Sequence, residues 1–460
     1  MWSIRKLVGR SFAAPTFNDD RAYARGAART ALAAAALAMA LVSATASAAP
    51  TGVASAPPSP PPRSDAANHQ LDALVAEAMA HSPLIAAANA RWAAANRVPS
   101  QVGTLPDPQI TMQEFTVGGP KPSEGYEASD FYYTGIGAEQ DIPGPGKLRL
   151  AATAAGHDAD AARHQFLARR REVAARVLES ALNLFYAAKT IALLEQKRSD
   201  LLRIGAVAEA QYRLGMGRQQ DVLKAQFQAT AMLKDIADAR GDYATQQAAL
   251  KAVLGRGLDS RDIWVGEISP TSVTLPADRL DSAAANGSEE LKAAQSMEAK
   301  GAASLALARR GYWPDFSVGY MYQKTGVGKR DYFMLTLGAK LPLYFWRRQT
   351  PAIEQAAAER EAAISDLRAT RLEAEADARS RMVAMRTAER AMSIYRDGLI
   401  VQAEAVESSA LNDYRAGKVD FTSLLNAALD VLTARQGYWR ALTDHEIAAA
   451  RLRQIIGDQP

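Results

Sequence analysis

The sequence Tyr212-Arg213-Leu214-Gly215 recurs 202 residues later as Tyr414-Arg415-Ala416-Gly417. The same spacing aligns Leu223 with Leu425, a few residues beyond each tetrapeptide. A glycine at the end of each tetrapeptide suits the end of a helix, because glycine readily adopts the left-handed backbone conformation that reverses the chain. The shared spacing predicts a chain built from two copies of one unit, each with a helical reversal at its tetrapeptide.

Apolar and small residues follow each tetrapeptide at alternating spacings of three and four. The positions are Val222, Ala225, Ala229, Met232, Ile236, Ala239, Tyr243, Gln246, Leu250 and Val253, then Leu424, Ala427, Val431, Ala434, Tyr438, Ala441, His445, Ala448, Leu452 and Ile455. This 3.5-residue period is the signal for coiled-coil packing of helices. A similar seam precedes the second tetrapeptide, and we expect it to continue through Tyr395, Leu399, Gln402 and Val406.

Two long helical hairpins follow from these seams. We expect helices at about 148–213 and 219–254 in the first hairpin, and at about 350–415 and 420–456 in the second hairpin. The longer helix of each hairpin, with about 66 residues, would be about 100 Å long, which is far longer than the helices of globular proteins. Shorter helices at about 68–97 and 280–311 precede each hairpin. The predicted repeats are residues 68–255 and 280–458, joined by an irregular connector, 256–279.

Each repeat also contains two segments with the alternation of a β-strand. They lie at about 109–116 and 131–142, then at about 315–323 and 331–343. Residues 312–346 hold ten of the 32 aromatic residues, and five sit at the strand ends: Tyr312, Trp313, Tyr344, Phe345 and Trp346. Strands with one apolar face and aromatic ends are typical of outer-membrane barrels. Four strands leave open edges in lipid, so we expect further copies of the chain to complete a barrel.

The N-terminal segment predicts export. Basic residues precede the apolar run Ala31–Val42 and the small residues Ala44–Ala49, which is the pattern of a secretory signal peptide over residues 1–48. A proline-rich linker, 49–67, follows it. The chain has no cysteine, so neither a lipid-modified cysteine nor a disulfide is expected. No later run of apolar residues is long enough to predict a transmembrane helix.

Charge and composition argue against nucleic-acid binding and catalysis. The net charge of +4 comes from residues 1–48, and the rest of the chain carries equal numbers of basic and acidic residues. A nucleic-acid surface needs clustered basic residues. His157 and His164 lie seven residues apart, but a metal site would need further ligands at that level and no cysteine is available, so a surface location is expected for both. Met382, Met385 and Met392 could suggest soft copper ligation, but two of them occupy the coiled-coil seam and are expected to pack there. We predict no enzymatic activity, no cofactor and no resident metal.

The layout resembles the TolC family of outer membrane efflux proteins. The motifs that carry the resemblance are Leu105-Pro106-Asp107-Pro108, Pro143-Gly144-Pro145-Gly146-Lys147, Trp313-Pro314-Asp315 and the two tip tetrapeptides. The resemblance implies a mainly α, α+β fold: a homotrimer with a 12-stranded barrel in outer-membrane lipid, continued by a periplasmic α-barrel. It also implies an adaptor protein and an inner-membrane pump, often of the resistance–nodulation–division type. The Pro-Gly-Pro-Gly-Lys stretch is most similar to the branch that serves heavy-metal cation pumps.

The family closes its channel at the helical tips. In its best-known member two carboxylates narrow the pore at the places aligned with Ser423 and Asn426, and this sequence has neither. The candidate gate and adaptor residues are Tyr212, Arg213, Gly215, Asp221, Tyr414, Arg415, Gly417 and Asp420. A structural alternative assigns packing to Tyr414, chain reversal to Gly417 and helix capping to Asp420.

The resemblance predicts a passive conduit that carries metal cations from the pump to the exterior. Drugs or other small molecules are the alternative cargo. Two other classes remain open: a periplasmic adaptor, which needs only one helical hairpin, and a structural coiled-coil protein of the envelope, which needs no amphipathic strands.

Overall fold

The structure, a computed structural model, describes residues 63–115, 133–271, 276–325 and 330–457. The predicted signal peptide, the linker up to residue 62 and the loop of the first strand pair lie outside the described residues. The fold is mainly helical with one four-stranded antiparallel sheet, as expected for the fold class.

The first hairpin consists of α4 (Lys147–Arg213) and α5 (Gln219–Leu254). α4 has 67 residues, which at ~1.5 Å per residue makes it about 100 Å long. Gly215 reverses the chain at the tip with a φ of 76°, and Gly255 ends α5 with a φ of 77°. These left-handed conformations suit glycine because it has no Cβ.

The second hairpin has the same order but one irregularity. Its long helix is α8 (Gln349–Ile394), which passes through a five-residue π-helical turn, Tyr395–Leu399, into α9 (Ile400–Arg415). Gly417 reverses the chain with a φ of 72°. The returning helix is α10 (Phe421–Ile456).

The shorter helices are more broken than the sequence suggests. The predicted helix 68–97 is divided into α1 (Arg63–His81) and α2 (Pro83–Ala95), followed by α3 (Val98–Gly103). The helical axis bends by 44° at the α1–α2 break, where proline cannot continue the hydrogen-bond ladder. The predicted helix 280–311 is divided into α6 (Ala277–Gly287) and α7 (Glu289–Arg310). Ser288 caps α7 by accepting a hydrogen bond from the amide of Leu291.

The four strands form a single sheet in the order β1 (Gln109–Phe115), β2 (Tyr133–Ile142), β3 (Asp315–Thr325) and β4 (Tyr332–Lys340). The central pairing joins the two halves of the chain, because β2 and β3 run antiparallel with Tyr133 opposite Thr325 and Ile142 opposite Phe316. β1 and β4 are the edge strands among the described residues.

One face of this sheet is mainly apolar on all four strands, and its polar residues include Glu114 and Lys324 at one end. The register places Ile110 beside Ala138, Ala138 beside Tyr320, and Tyr320 beside Leu335. The opposite face carries mainly polar residues and glycine, with Met321 and Met334 among them, and there Lys340 pairs with Asp141 at 3.1 Å. Ile110 and Met112 on the apolar face are 78% and 77% exposed. An apolar surface this exposed is rare in soluble monomers and marks a surface that meets a membrane or a partner.

The interior is a series of clusters along the helices rather than one globular core. The largest cluster packs α1, α4, α5 and α10 around side chains such as Val177, Leu184 and Leu442. The connector after α5 packs onto it through Ile263, Val265 and Ile268. Met382 and Met385 are buried in a second cluster with α6 and α10, so they pack as seam residues.

Among the described residues, one helix contains an 18-residue window that meets the length and hydropathy test for a membrane span. That helix is α4, with a mean hydropathy of 1.3 over the window, and 39% of the window is buried inside the protein. The bent pair around Ser82 passes only if it is counted as one span. From the sequence, no helix is expected to pass this test, and α4 passes it. The core helices of soluble proteins pass the same test.

Candidate functional site

The tips of the two hairpins meet in one apolar cluster. Ile204 and Ala208 of α4 and Ala225 of α5 pack against Tyr414, Phe421, Leu424 and Ala428 of the second hairpin. The rings of Tyr414 and Phe421 lie edge to face with their centroids 5.6 Å apart. The cluster joins the two tips and includes Tyr414 of the second tetrapeptide.

Tyr414 and Asp221 form the most buried polar contact between the tips. Tyr414 is 6% exposed, and its hydroxyl donates a hydrogen bond to Asp221 Oδ2 at 3.4 Å. Burial, together with the negative charge of Asp221, raises the pKa of Tyr414 to about 12. The phenol is therefore protonated at neutral pH, so it acts as the donor in this contact.

Two further hydrogen bonds link the tips near the chain reversals. The side-chain amide of Gln211 donates a hydrogen bond from Nε2 to the backbone carbonyl of Arg415 at 2.9 Å. Lys224 Nζ donates to Thr422 Oγ1 at 3.2 Å. We call these two bonds, with the Tyr414–Asp221 bond, the tip contacts.

The remaining predicted tip residues have local roles. Tyr212 is 46% exposed and Arg213 pairs with Glu209 on its own helix. Gly215 and Gly417 reverse the chain, and Arg415 lines a cavity between the hairpins. Asp420 caps α10, since its carboxylate accepts hydrogen bonds from the amide and hydroxyl of Ser423, and these bonds lower its pKa. Within the tip, Asp420 thus has the capping geometry, and Asp221 supplies the carboxylate that faces Tyr414.

The candidate membrane-girdle aromatics cluster at one end of the sheet. Tyr312 and Trp313 lie between α7 and β3, and Tyr344, Phe345 and Trp346 lie between β4 and α8. All five are exposed, with Tyr344 at 71%. The Tyr312 and Phe345 rings are 6.2 Å apart, so the two segments form one aromatic patch. Amphipathic aromatic rings of this kind suit a membrane–water interface.

The proline–glycine motif and the Trp-Pro-Asp motif contact each other directly. Lys147 Nζ donates to Asp315 Oδ1 at 2.6 Å and to the carbonyl of Trp313 at 2.9 Å. The amide of Gly144 donates to the same Asp315 oxygen at 2.6 Å. A Cβ at Gly144 would lie 2.6 Å from the carbonyl oxygen of Pro314, so only glycine fits there. We call this group the strand–helix clamp, because it fixes the point where β2 turns into α4.

The model of the outer membrane efflux protein family matches residues 74–256 and 280–458, most of the chain. The chain belongs to this family. The match confirms the predicted resemblance at the level of the family, and it makes the chain an outer membrane efflux channel rather than an enzyme.

Solved structures share the fold of this efflux protein at low sequence identity. VceC of Vibrio cholerae is 20% identical with a TM-score of 0.74, over 85% of this chain and 96% of that chain. CusC is 15% identical with a TM-score of 0.76, over 85% and 92% of the two chains. The open state of MtrE from Neisseria gonorrhoeae is 15% identical with a TM-score of 0.69, over 84% and 89%. A comparison with curated proteins gave no match.

No group of three or more histidine, cysteine, aspartate or glutamate side chains that could hold a metal ion occurs in the described part of the efflux protein. His164 is half-buried rather than fully exposed at the surface as expected. Its Nδ1 lies 2.7 Å from Glu289 Oε2. Arg171 and Lys292 also donate to Glu289. Burial alone would raise the pKa of Glu289, but these donors and charges outweigh burial and lower the pKa.

Sequence reasoning missed the ion pair between Lys197 of α4 and Glu407 of α9, which lies at 3.0 Å. A signal for Lys197 exists, since it occupies a position between the buried residues Leu194 and Leu201 at helical spacing. No such signal exists for Glu407, because the seam predicted for its helix runs through Leu399, Gln402 and Val406. These three residues are exposed.

Proposed function

We propose that the protein is the exit duct of a tripartite efflux system, assembled as a homotrimer. In this assembly three copies contribute twelve strands to a barrel in outer-membrane lipid, and the hairpins form a periplasmic α-barrel. The observation that carries the proposal is the four-stranded sheet, which has one mainly apolar face and an edge strand on each side. Unpaired strand edges are costly in lipid, so neighbouring copies would have to supply the missing strands.

The two faces of the sheet suit opposite environments. The apolar face would meet lipid, and the polar face, with Lys340 and Asp141, would line an aqueous lumen. The aromatic patch at the helical end of the sheet would sit at the periplasmic interface. This arrangement favours the duct over a soluble adaptor or a purely helical envelope protein.

The partners follow from the position of the tips, about 100 Å from the sheet by the length of α4. A periplasmic adaptor would dock at the tips and connect them to an inner-membrane pump of the resistance–nodulation–division type. The signal peptide 1–48 would direct the chain across the inner membrane, and the cysteine-free chain would carry no cysteine-linked lipid.

The tip contacts would hold the duct closed at rest. They join the first hairpin to the second, so both hairpins must separate before the periplasmic end can widen. Metal cations are the proposed cargo, on the resemblance of the Pro143–Lys147 motif to the metal branch. Drugs and other small molecules are the second candidate cargo, because the family match does not distinguish between the two.

Fractionation and susceptibility assays test the proposal together. The protein should remain in the outer-membrane fraction until detergent is added, and then run as an oligomer that heating separates into single chains. A deletion strain should become sensitive to a divalent or monovalent metal cation, or to drugs if the alternative cargo is right. Recovery of the native protein in the soluble periplasmic fraction would contradict the duct.

A further inference from the structure

Lys197 places a positive charge inside the interface between the two hairpins. The residue is 4% exposed, its Nζ lies 3.0 Å from Glu407 Oε1, and Asp200 Oδ2 on the same helix is 4.0 Å away. A buried amine without a partner costs several kcal/mol, so the contact with Glu407 is needed to keep it in place. Separating α9 from α4 would therefore require Lys197 to lose its partner or to become solvated.

The ion pair borders a cavity of about 400 Å³ between the hairpins. Lys197, Asp200 and Glu407 line one part of this cavity, and Arg415 and Leu424 at the tip line another. A cavity is space in which the facing side chains lack packing partners. The Lys197–Glu407 pair therefore joins the hairpins at the wall of this cavity, next to the apolar packing of Ile204 with Leu424.

Glu407 faces Lys197 because the π-helical turn shifts the register of α9. The inward residues of α8 follow a spacing of three or four through Met385, Ala388 and Met392. Continued without interruption, that spacing reaches Leu399, Gln402, Val406, Ser409 and Asp413. The less exposed positions are instead Ile400, Ala403, Glu407, Ala410 and Tyr414, each one residue later.

A π-helical turn contains one more residue than an α-helical turn, which accounts for this shift. If residues 395–399 formed a regular α-helix with no residue deleted, the facing positions would be Val406 and Asp413. Val406 cannot pair with Lys197, and Asp413 would place a second carboxylate towards Asp221. The corresponding stretch of the first hairpin, Leu193–Lys197, is regular α-helix within α4.

α10 is shaped to accept the π-helical turn. A Cβ at Gly437 of α10 would lie 2.4 Å from Cζ and 2.6 Å from the hydroxyl of Tyr395, so the tyrosine ring occupies the space that glycine leaves. Gly398 in the turn has nothing within 4 Å of its virtual Cβ. Tyr395, the first residue of the π-helical turn, therefore packs directly against Gly437 of α10.

We propose that Lys197 and Glu407 form a second lock of the closed duct, and that the π-helical turn holds Glu407 and Tyr414 in register for both locks. The inference rests on the proposed function, in which the tip contacts are the first lock. Lys197 and Glu407 are positioning residues, since they act on the separation of the hairpins and not on the cargo.

Single-channel recording of the full-length protein in planar bilayers tests the ion pair. Glu407→Gln should raise the open probability by about tenfold or more, because it removes the charged partner of Lys197 on α9. The exchanged pair Lys197→Glu with Glu407→Lys should return the open probability to near wild type. Glu404→Gln is the matched control, since Glu404 lies on the same helix but pairs with Arg435 of α10 within the second hairpin.

The outcomes separate this inference from the proposed function. Wild-type open probability in Glu407→Gln, alongside an increase in Tyr414→Phe, overturns the second lock and leaves the tip gate standing. No increase in either variant overturns the tip gate itself. An increase in Glu407→Gln that the exchanged pair does not reverse also overturns the pairing. If Glu407→Gln fails to assemble, Glu407→Asp, with a shorter side chain, is judged by the same criteria.

Two single-residue deletions test the register. Deleting Gly398 removes the extra residue, converts the π-helical turn to α-helix and leaves Glu407 and Tyr414 facing inward, so the open probability should stay at wild type. Deleting exposed Ser408 turns either Glu407 or Tyr414 by about 100° away from its partner, and the channel should open. Opening of the Gly398 deletion, or wild-type behaviour of the Ser408 deletion, would overturn the role of the turn.

Discussion

The hydroxyl of Tyr414 donates a hydrogen bond to Asp221 Oδ2 at 3.4 Å, across the two hairpins of one chain. We expect Tyr414→Phe and Asp221→Asn each to raise the open probability of the reconstituted channel, because each weakens the most buried polar tip contact. Tyr212→Phe is the matched control, since Tyr212 occupies the corresponding tetrapeptide position and is exposed. Unchanged gating in both tip variants would rule out the contact as a lock.

The same contact predicts an effect of alkaline pH. The pKa of Tyr414 is raised to about 12 in the folded protein, whereas an unfolded tyrosine has a pKa of about 10. The folded state therefore binds the proton more tightly, and the contact's stabilisation is complete below about pH 10 and lost as the pH rises towards 12. The difference in heat stability between wild type and Tyr414→Phe should shrink over this range.

Asp420 should act on stability rather than on gating. Asp420→Ala removes the cap that accepts the amide of Ser423 at 3.1 Å, so the oligomer should dissociate at a lower temperature. Asp420→Asn should retain most of the heat stability, because asparagine caps helices about as well as aspartate. Recordings of Asp420→Ala should show wild-type open probability, and a large increase would assign Asp420 to the gate.

The strand–helix clamp predicts a folding defect far from the tips. Lys147→Met removes two hydrogen bonds, including the one to Asp315, and should cost about 1.5–3 kcal/mol of stability. The yield of heat-stable oligomer in the outer membrane measures this loss. Lys340→Met is the control, because Lys340 makes an exposed pair with Asp141 and should give a near-normal yield.

Two glycine-to-alanine variants should have different effects on the free energy of unfolding. Gly437→Ala places a Cβ against the ring of Tyr395 and should cost about 1–3 kcal/mol through overpacking. Gly398→Ala meets nothing within 4 Å, and it should be neutral or stabilise by up to about 1 kcal/mol through helix propensity. Thermal unfolding in detergent, followed by circular dichroism, distinguishes them. Equal midpoints would show that Tyr395 moves aside without cost.

Acid should remove the contribution of Glu289. Its pKa is lowered in the folded state, so its ion pairs stabilise the protein above the unfolded pKa, and this stabilisation is lost as the pH falls through the folded pKa. Glu289→Gln should therefore lower the unfolding temperature at pH 7, and the difference from wild type should vanish in acid. The exposed neighbour Glu290 provides the control Glu290→Gln, with little effect at either pH.

The repeated tetrapeptides and the 3.5-residue seams were enough to predict the long helices, because coiled-coil packing leaves a periodic trace in sequence. Strand alternation likewise predicted the strands. The pairing of β2 with β3 needed the structure, since no local pattern relates segments so far apart in the chain. The breaks at Ser82 and Ser288 were missed, although Pro83 and Gly287 beside them are local signals for a helix boundary.

The sequence predicted where the candidate site lies, but not which side chains contact each other within it. Both tetrapeptides lie at the tips, yet Tyr414 is buried against Asp221 while Tyr212 is exposed. Asp420 was a candidate both for the gate and for a helix cap, and it has the geometry of the cap. Glu407 was hidden because a single extra residue in the π-helical turn breaks the period on which seam predictions depend.

The edge positions of β1 and β4 have a genetic consequence. In the proposed trimer each copy must pair with both neighbours, so one copy with a damaged edge strand leaves two wild-type copies unable to close the barrel. With equal expression of the two alleles, random assembly would make only one trimer in eight free of damaged subunits. Edge-strand mutations that still permit assembly should therefore be dominant over the wild-type gene.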